Sequence, residues 1–172
     1  KKIGLETYGK PGNYVARQVS RWTKQYLASE TETIPEMDNL IEWLADNIPD
    51  DDETSIVHGD YRLDNMIYKN HEVIGVLDWE LSTLGHPIAD FSYHCLTWRT
   101  LPAMSDLKLI KELGIPSEVE YRDMYSEYTG KDLSKNWEFY MVFNMFKIAA
   151  ILQGILGRVR DGTASSKHAE ER

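Results

Sequence analysis

Apolar side chains recur along the chain at two different periods, and the change of period divides it. Val15, Val19, Trp22 and Tyr26 stand four, three and four residues apart, the spacing that keeps side chains on one helical face. The stripe predicts an amphipathic helix over roughly residues 13–29. A second helix is expected to carry Met37, Leu40, Ile41, Leu44 and Ile48 on one face and to stop at Pro49. Thr33 and Glu36 have the three-residue spacing of a capping box that would open it. The period then shortens. Residues 55–57, 65–68 and 73–77 are short apolar runs, and the polar residues 69–72 separate the last two. This pattern predicts a β-hairpin with a four-residue connection. Its second arm is almost wholly apolar and is therefore expected to be buried on both faces. From Pro87 the helical period returns. Pro87 suits the first turn of a helix through Ala89, Phe91 and Tyr93. Gly114 and Pro116 close a segment over residues 107–113, and Ser117 with Glu120 forms a capping box for a helix that Gly130 ends. Residues 135–160 are apolar around most of the circumference, which predicts a central core helix. A loop over 162–166 and a polar tail of six residues follow. The sum is an α+β chain: about six helices around one small hairpin, with no parallel sheet.

Composition narrows the function classes. The 172 residues suffice for one domain with one core. Hydrophobic residues make up 42% and charged residues 27%, as in ordinary globular proteins. A net charge of -9 disfavours nucleic acid as a partner, because phosphate backbones are gripped by clustered Lys and Arg. A local basic pocket for a phosphorylated ligand remains compatible with it. Residues 50–53 are four consecutive acids, expected to form a solvated loop. Cys95 is the one cysteine, which rules out an internal disulfide and fits a reducing compartment. No uninterrupted apolar run reaches the ~18 residues of a membrane span. The stretch over 139–156 comes nearest, but Asn144, Lys147 and Gln153 interrupt it, so no membrane partner is expected. The chain shows no signal-peptide pattern and begins with Lys1 rather than Met, which suggests a piece of a longer protein.

The chemistry concentrates between Ile56 and Asp90. His58-Gly59-Asp60 is followed by Asn65 and then by Asp78-Trp79-Glu80. Phosphoryl transfer has a loose, anionic transition state, so catalysis rests on positioning and charge neutralisation. It asks for one carboxylate to orient the acceptor hydroxyl and take its proton. It also asks for oxygen ligands to Mg²⁺, an ion that takes few protein ligands beside phosphate and water. An Asp, an Asn five residues later and a further Asp beyond a hairpin answer both needs, and Asp60, Asn65 and Asp78 have that spacing.

The strings H-G-D-Y-R-L-D-N and V-L-D-W-E, followed by a Pro and an Asp-Phe, resemble the aminoglycoside phosphotransferase and choline kinase group. The strings W-E-L-S-T-L-G, F-Y-M-V-F-N and A-A-I-L-Q-G are closer still to the phosphotransferase-like domains joined to acyl-CoA dehydrogenases and to their free-standing bacterial relatives. The resemblance covers residues 4–170. It implies the mainly helical C-terminal lobe of a protein-kinase-like fold, with the nucleotide-gripping N-terminal lobe outside this chain. It implies Asp60 as catalytic base, Asn65 and Asp78 as magnesium ligands, and ATP or GTP as phosphate donor. Arg62 stands where protein kinases place a Lys near the transferred phosphate, or else is a surface arginine. Glu80 either assists a metal or forms a salt bridge. His58 is expected to brace the loop through a backbone bond, and Asp90 to support it from a helix start. Tyr140, Asn144 and Lys147 share a helix face and are candidates for a substrate pocket. Trp79 is expected to be core beneath the metal site. The other tryptophans are expected to pack on helix faces.

Some positions depart from protein kinases. Gly59 replaces the arginine that answers an activation-loop phosphate, and no glycine follows the metal Asp. Both favour a small-molecule kinase. His86 stands where many relatives have Asp, which touches a local loop contact only. No segment fits G-x-G-x-x-G or a Walker loop. The acceptor implied by the closer resemblance is a hydroxyacyl-CoA or hydroxy acid. The alternatives are an aminoglycoside kinase, an inactive kinase-like binding module, and a metal-dependent hydrolase. The hydrolase would need further convergent ligands. The location implied is cytoplasmic for a bacterial protein, and mitochondrial or peroxisomal for an animal fusion protein. In this piece on its own, the apolar face toward the absent lobe is expected to be either open or covered by a second copy of the chain, as a homodimer.

Overall fold

The computed structural model describes residues 4, 7–51 and 53–163. The polar tail expected over 167–172 and part of the loop expected over 162–166 lie outside the described residues, as does Asp52 of the acidic run.

Four helices make the scaffold. Helix α1 (Tyr14–Ser29) buries Val15, Val19, Trp22 and Tyr26, the four residues of the periodic stripe. It packs on α7 (Trp137–Arg160), which also meets α2 (Pro35–Asp46) and α3 (Pro87–Cys95). Leu44, Phe91, Tyr140, Met141 and Phe146 join the stripe in one core. By length and composition α7 could cross a membrane, but half of its apolar window is buried inside the protein. Its three polar interruptions are spent on internal bonds. Asn144 Nδ2 donates to the Ala89 carbonyl and Ser92 Oγ, Lys147 Nζ to the Gly59 carbonyl, and Gln153 Nε2 to the Ser29 carbonyl and Thr31 Oγ1. Each therefore ties α7 to a different neighbour, as suits a core helix.

The capping expectations divide. Helix α6 (Glu118–Thr129) opens on the Ser117–Glu120 box and ends at Gly130 with φ 70°. Helix α2 has no such box. Its N-cap is Ile34, which offers no side-chain bond, and Pro35 at the first position has no N–H to satisfy. It ends before Ile48, where the backbone and side-chain nitrogens of Asn47 both donate to the Trp43 carbonyl. Helix α5 (Leu107–Glu112) is capped by Asp106, and a short α4 (Thr97–Thr100) that the periodicity does not reveal brings the described α-helices to seven.

The strands form two ladders rather than one. Strand β1 (Ser55–Val57) pairs antiparallel with β4 (Thr83–Gly85), setting Ile56 opposite Leu84. Strands β2 (Met66–Lys69) and β3 (Glu72–Val76) form the expected hairpin. Its connection has two residues, not four: Asn70 and His71 both take positive φ, 50° and 66°. That geometry matches the twist of a tight hairpin and lets Lys69 pair with Glu72. The expectation that the second arm is buried on both faces is overturned. Val73, Ile74 and Leu77 are 52%, 56% and 50% exposed. The arms are exposed along most of their length, and only Met66, Gly75 and Val76 at the open end are half-buried.

Candidate active site

Strand β1 delivers the chain to His58, where the backbone turns sharply. Gly59 has φ 86°, and a Cβ there would stand 2.7 Å from the Leu81 carbonyl oxygen, so only glycine fits. The first turn of α3 holds this turn. Asp90 Oδ2 accepts from the His58 amide at 2.7 Å and Asp90 Oδ1 from the Gly59 amide at 2.9 Å. The His58 ring is buried and bonded at both nitrogens. Nε2 lies 2.7 Å from the Leu77 carbonyl, and Nδ1 lies 3.3 Å from the Asp60 amide. A carbonyl can only accept and an amide N–H only donate, so the proton sits on Nε2. His58 thereby ties the loop to the end of β3.

Asp60 emerges from this turn and Asn65 closes on it. Asn65 Nδ2 donates to the Asp60 backbone carbonyl at 2.9 Å and to Asp60 Oδ2 at 3.1 Å. Asn65 ends a 3₁₀ turn (Leu63–Asn65), and its carbonyl accepts from the Leu77 amide at 2.8 Å. The hairpin's open end therefore sets Asn65 on one arm across from Leu77 on the other, with Asp78 next in the chain. Asp78 adopts φ 64° and ψ 51°, a left-handed turn that redirects the chain into a second 3₁₀ turn (Trp79–Leu81). The Asn65 amide oxygen and the Asp78 carboxylate have no protein partner among the described residues. Hard oxygen donors of this kind, few in number, suit Mg²⁺ better than a softer metal. Among the described residues no three His, Cys, Asp or Glu side chains gather into a metal cage.

The remaining candidates scatter. Arg62 is exposed and paired with Asp64, its Nε donating to Asp64 Oδ2 at 2.9 Å. Glu80 is exposed and joins no ion pair among the described residues. Trp79 is 48% exposed rather than core; its Nε1 donates to the Val76 carbonyl and its ring lies 4.8 Å from that of His58. Tyr140, Asn144 and Lys147 do not line one pocket. Asn144 is a satisfied buried amide bonded to α3. Tyr140 stacks on His86 at 4.9 Å, away from the loop. Only Lys147 reaches the loop, through Gly59. The helical period put all three on one side of α7, but one helix face spans several neighbours.

No motif marks Tyr93, which stands one turn beyond Asp90 on α3. Its hydroxyl interacts with the Asp60 carboxylate and with Arg62, and burial first, then the Asp60 charge, pushes its pKa up to about 12. The three-residue spacing from Asp90 was the available signal. Tyr93 and Arg62 line a cavity of about 370 Å³ together with Leu96, Thr97, Leu101 and Ile148. The acidic run lies elsewhere. Asp51 Oδ2 is 3.3 Å from His86 Nε2, and Glu53 is paired with Lys131. Both line a separate cavity of about 500 Å³ with Tyr140 and Lys135, to which neither Asp60 nor Asp78 contributes. The acidic run is thus partly engaged, not simply solvated.

A sequence profile of the phosphotransferase enzyme family matches residues 1–126. Acyl-CoA dehydrogenase family member 10 of Mus musculus is 47% identical over 97% of this chain and 16% of its own length. Member 11 of Homo sapiens is 42% identical over 96% of this chain and 22% of its own. The chain thus spans about a fifth of these relatives. A provisionally assigned aminoglycoside phosphotransferase from Ralstonia eutropha superposes with a TM-score of 0.92 at 55% identity, over 98% of this chain and 54% of that one.

Proposed function

We propose that this chain, which belongs to the phosphotransferase enzyme family, carries the base and metal ligands of a small-molecule kinase that moves the γ-phosphate of ATP, or GTP, to a hydroxyl group. In this reading the chain is the C-terminal lobe of the kinase-like fold, and a nucleotide-gripping lobe completes the cleft. The observation that carries the reading is the contact of Asn65 with both the backbone and the carboxylate of Asp60, at the open end of a hairpin whose other arm leads into Asp78.

The residues divide the work. Asp60 accepts the proton of the acceptor hydroxyl as it attacks, a role open to a carboxylate within hydrogen-bond reach of that hydroxyl. Asn65 and Asp78 would hold Mg²⁺, which supplies charge neutralisation to the phosphates when bound. Arg62 is near enough to Asp60 to feel its charge, and release from Asp64 would free it to meet the anionic phosphoryl group. His58 and Asp90 hold the loop so that the Asp60 carboxylate is set before substrate arrives.

Two observations favour a hydroxyacyl or hydroxy-acid acceptor over a polycationic aminoglycoside. The cavity beside Arg62 and Tyr93 has a largely aliphatic wall of Leu96, Leu101 and Ile148, and its one lining carboxylate, Asp64, is already paired with Arg62. The acids that would attract an aminoglycoside, Asp51 and Glu53, line the other cavity. The test is acceptor-dependent ADP release by the complete protein with Mg²⁺ and ATP, across hydroxyacyl-CoAs, free hydroxy acids and aminoglycosides. Phosphorylated hydroxyacyl product is expected. Preference for an aminoglycoside overturns the acceptor class, and no acceptor-dependent release with any hydroxyl compound overturns the kinase reading.

A further inference from the structure

We propose that Lys147, on α7, is a positioning residue for phosphoryl transfer: its enclosed ammonium grips the peptide of Gly59 and the ring of Tyr93, and through them sets the Asp60 carboxylate. The inference rests on the reading of Asp60 as base.

Lys147 Nζ donates to the Gly59 carbonyl at 3.0 Å, across 88 residues of sequence. That carbonyl belongs to the peptide that joins Gly59 to Asp60, so the bond acts directly on the backbone of the base. The same nitrogen stands 4.2 Å from the centroid of the Tyr93 ring and 5.8 Å from that of Trp22. Both lie within the roughly 6 Å over which an aromatic face attracts a cation. Tyr93 in turn stands near enough to Asp60 to feel its charge. The ammonium thus acts on the carboxylate through the main chain, and the ring it grips lies beside that carboxylate.

The loop is held on both polar edges. Asp90 of α3 takes its amides at His58 and Gly59, and Lys147 of α7 takes its carbonyl at Gly59. Helix–loop packing alone does not require a lysine here. Burial opposes its charge and lowers its pKa, while the Asp60 and Asp90 carboxylates favour the charge. An apolar side chain would suit the surrounding helix face but would leave the Gly59 carbonyl without its partner. The ammonium is also spent on protein groups, so it does not meet the nucleotide. Its loss should show in turnover and not in nucleotide affinity.

The experiment compares Lys147→Met, Lys147→Ala and Asp60→Asn in the complete protein. It measures kcat, KM for ATP and melting temperature, with and without ethylammonium chloride, against sodium chloride at equal ionic strength. The expected result is a loss of about 10²-fold in kcat for both Lys147 variants, the cost of an angstrom-scale misplacement, with KM for ATP unchanged. Ethylammonium, and not sodium, then restores turnover to Lys147→Ala, whose shortened side chain leaves room for it, and does not restore Lys147→Met. Wild-type kcat in Lys147→Met, a loss confined to KM for ATP, or no amine response in Lys147→Ala overturns the proposal. Should Lys147→Met fail to fold, the amine response of Lys147→Ala decides the question. Asp60→Asn with wild-type turnover overturns the reading of Asp60 itself, an outcome distinguishable from failure at Lys147.

Discussion

Asp60 and Asp90 are both aspartates of one short stretch, yet their surroundings give them opposite tasks. Asp90 spends both oxygens on the amides of His58 and Gly59. Asp60 keeps a carboxylate that, among the described residues, accepts a single side-chain hydrogen bond, from Asn65. Replacement of Asp60 by Asn in the complete protein should therefore lower turnover by about 10² to 10⁴-fold, the usual worth of a general base. Titration calorimetry with ATP and Mg²⁺ should still show binding. Replacement of Asp90 by Ala should act differently. It strands two loop amides, each at a cost of about 1 to 3 kcal/mol, so the melting temperature and turnover should fall together. An Asp90→Ala variant that melts with the wild type would mean that these bonds do not hold the loop. The string from His58 to Asp78 was legible because its chemistry is local: five residues separate Asp60 from Asn65, and a single turn joins them. Lys147 was not legible as a partner of Gly59, because 88 residues intervene and only the helix packing brings them together. Trp79 was misread for a related reason. A tryptophan is usually interior, and nothing in the sequence says that the turn after Asp78 leaves its ring half-exposed against His58.

The long helices and the β2–β3 hairpin were readable, and the pairing of β1 with β4 was not. A 3.6-residue period repeats several times within α1 or α7 and so identifies itself. A three-residue strand such as β4 carries no period, and its partner β1 lies beyond the hairpin. The helices are joined by contacts that no period reports, of which Arg99 is the clearest. From α4 it reaches α6 and α7: Nε donates to Glu118 Oε2 at 2.9 Å and Nη1 to Glu138 Oε2 at 3.0 Å. Trp137 Nε1 also donates to Glu118 Oε1. The Arg99 bond holds Glu138 below its ordinary pKa of 4.5. Burial alone would raise Glu118, but bonds from Arg99 and Trp137 outweigh it and hold it below 4.5 as well. Folded-state values lie below unfolded ones, so the stabilisation is complete above about pH 4.5 and is lost as pH falls through the depressed values. Glu138 is 70% exposed at its side chain, which keeps the pair's contribution near that of a surface network, about 1 kcal/mol. Arg99→Met should lower the melting temperature by about 2 to 4 °C at pH 7. The difference should narrow on acidification below about pH 4.5, and differential scanning calorimetry across that range checks it. An undiminished difference at acid pH would assign the loss to packing of the arginine stem.

The whole molecule has one closed side and one open side. The closed side is the core around α7. The open side is the hairpin, where Ile67, Tyr68, Val73, Ile74 and Leu77 are each between 42% and 56% exposed. The 172-residue chain taken alone should therefore fold cooperatively and yet turn over no appreciable ATP, because its sequence carries no glycine-rich phosphate loop and transfer depends on alignment. Its apolar hairpin should self-associate. A circular-dichroism melt, a coupled ATPase assay and sedimentation velocity test the three parts. Tight nucleotide binding by the isolated chain would place the nucleotide site elsewhere. The packing of α1 on α7 has a consequence during synthesis. Helix α1 is complete at Ser29, but the helix that covers its apolar stripe begins only at Trp137. At about 5 to 20 residues per second, a ribosome leaves that stripe uncovered for on the order of ten seconds. Val15, Val19, Trp22 and Tyr26 are then a waiting surface for a holdase chaperone, and a nascent chain arrested before residue 137 should remain its client.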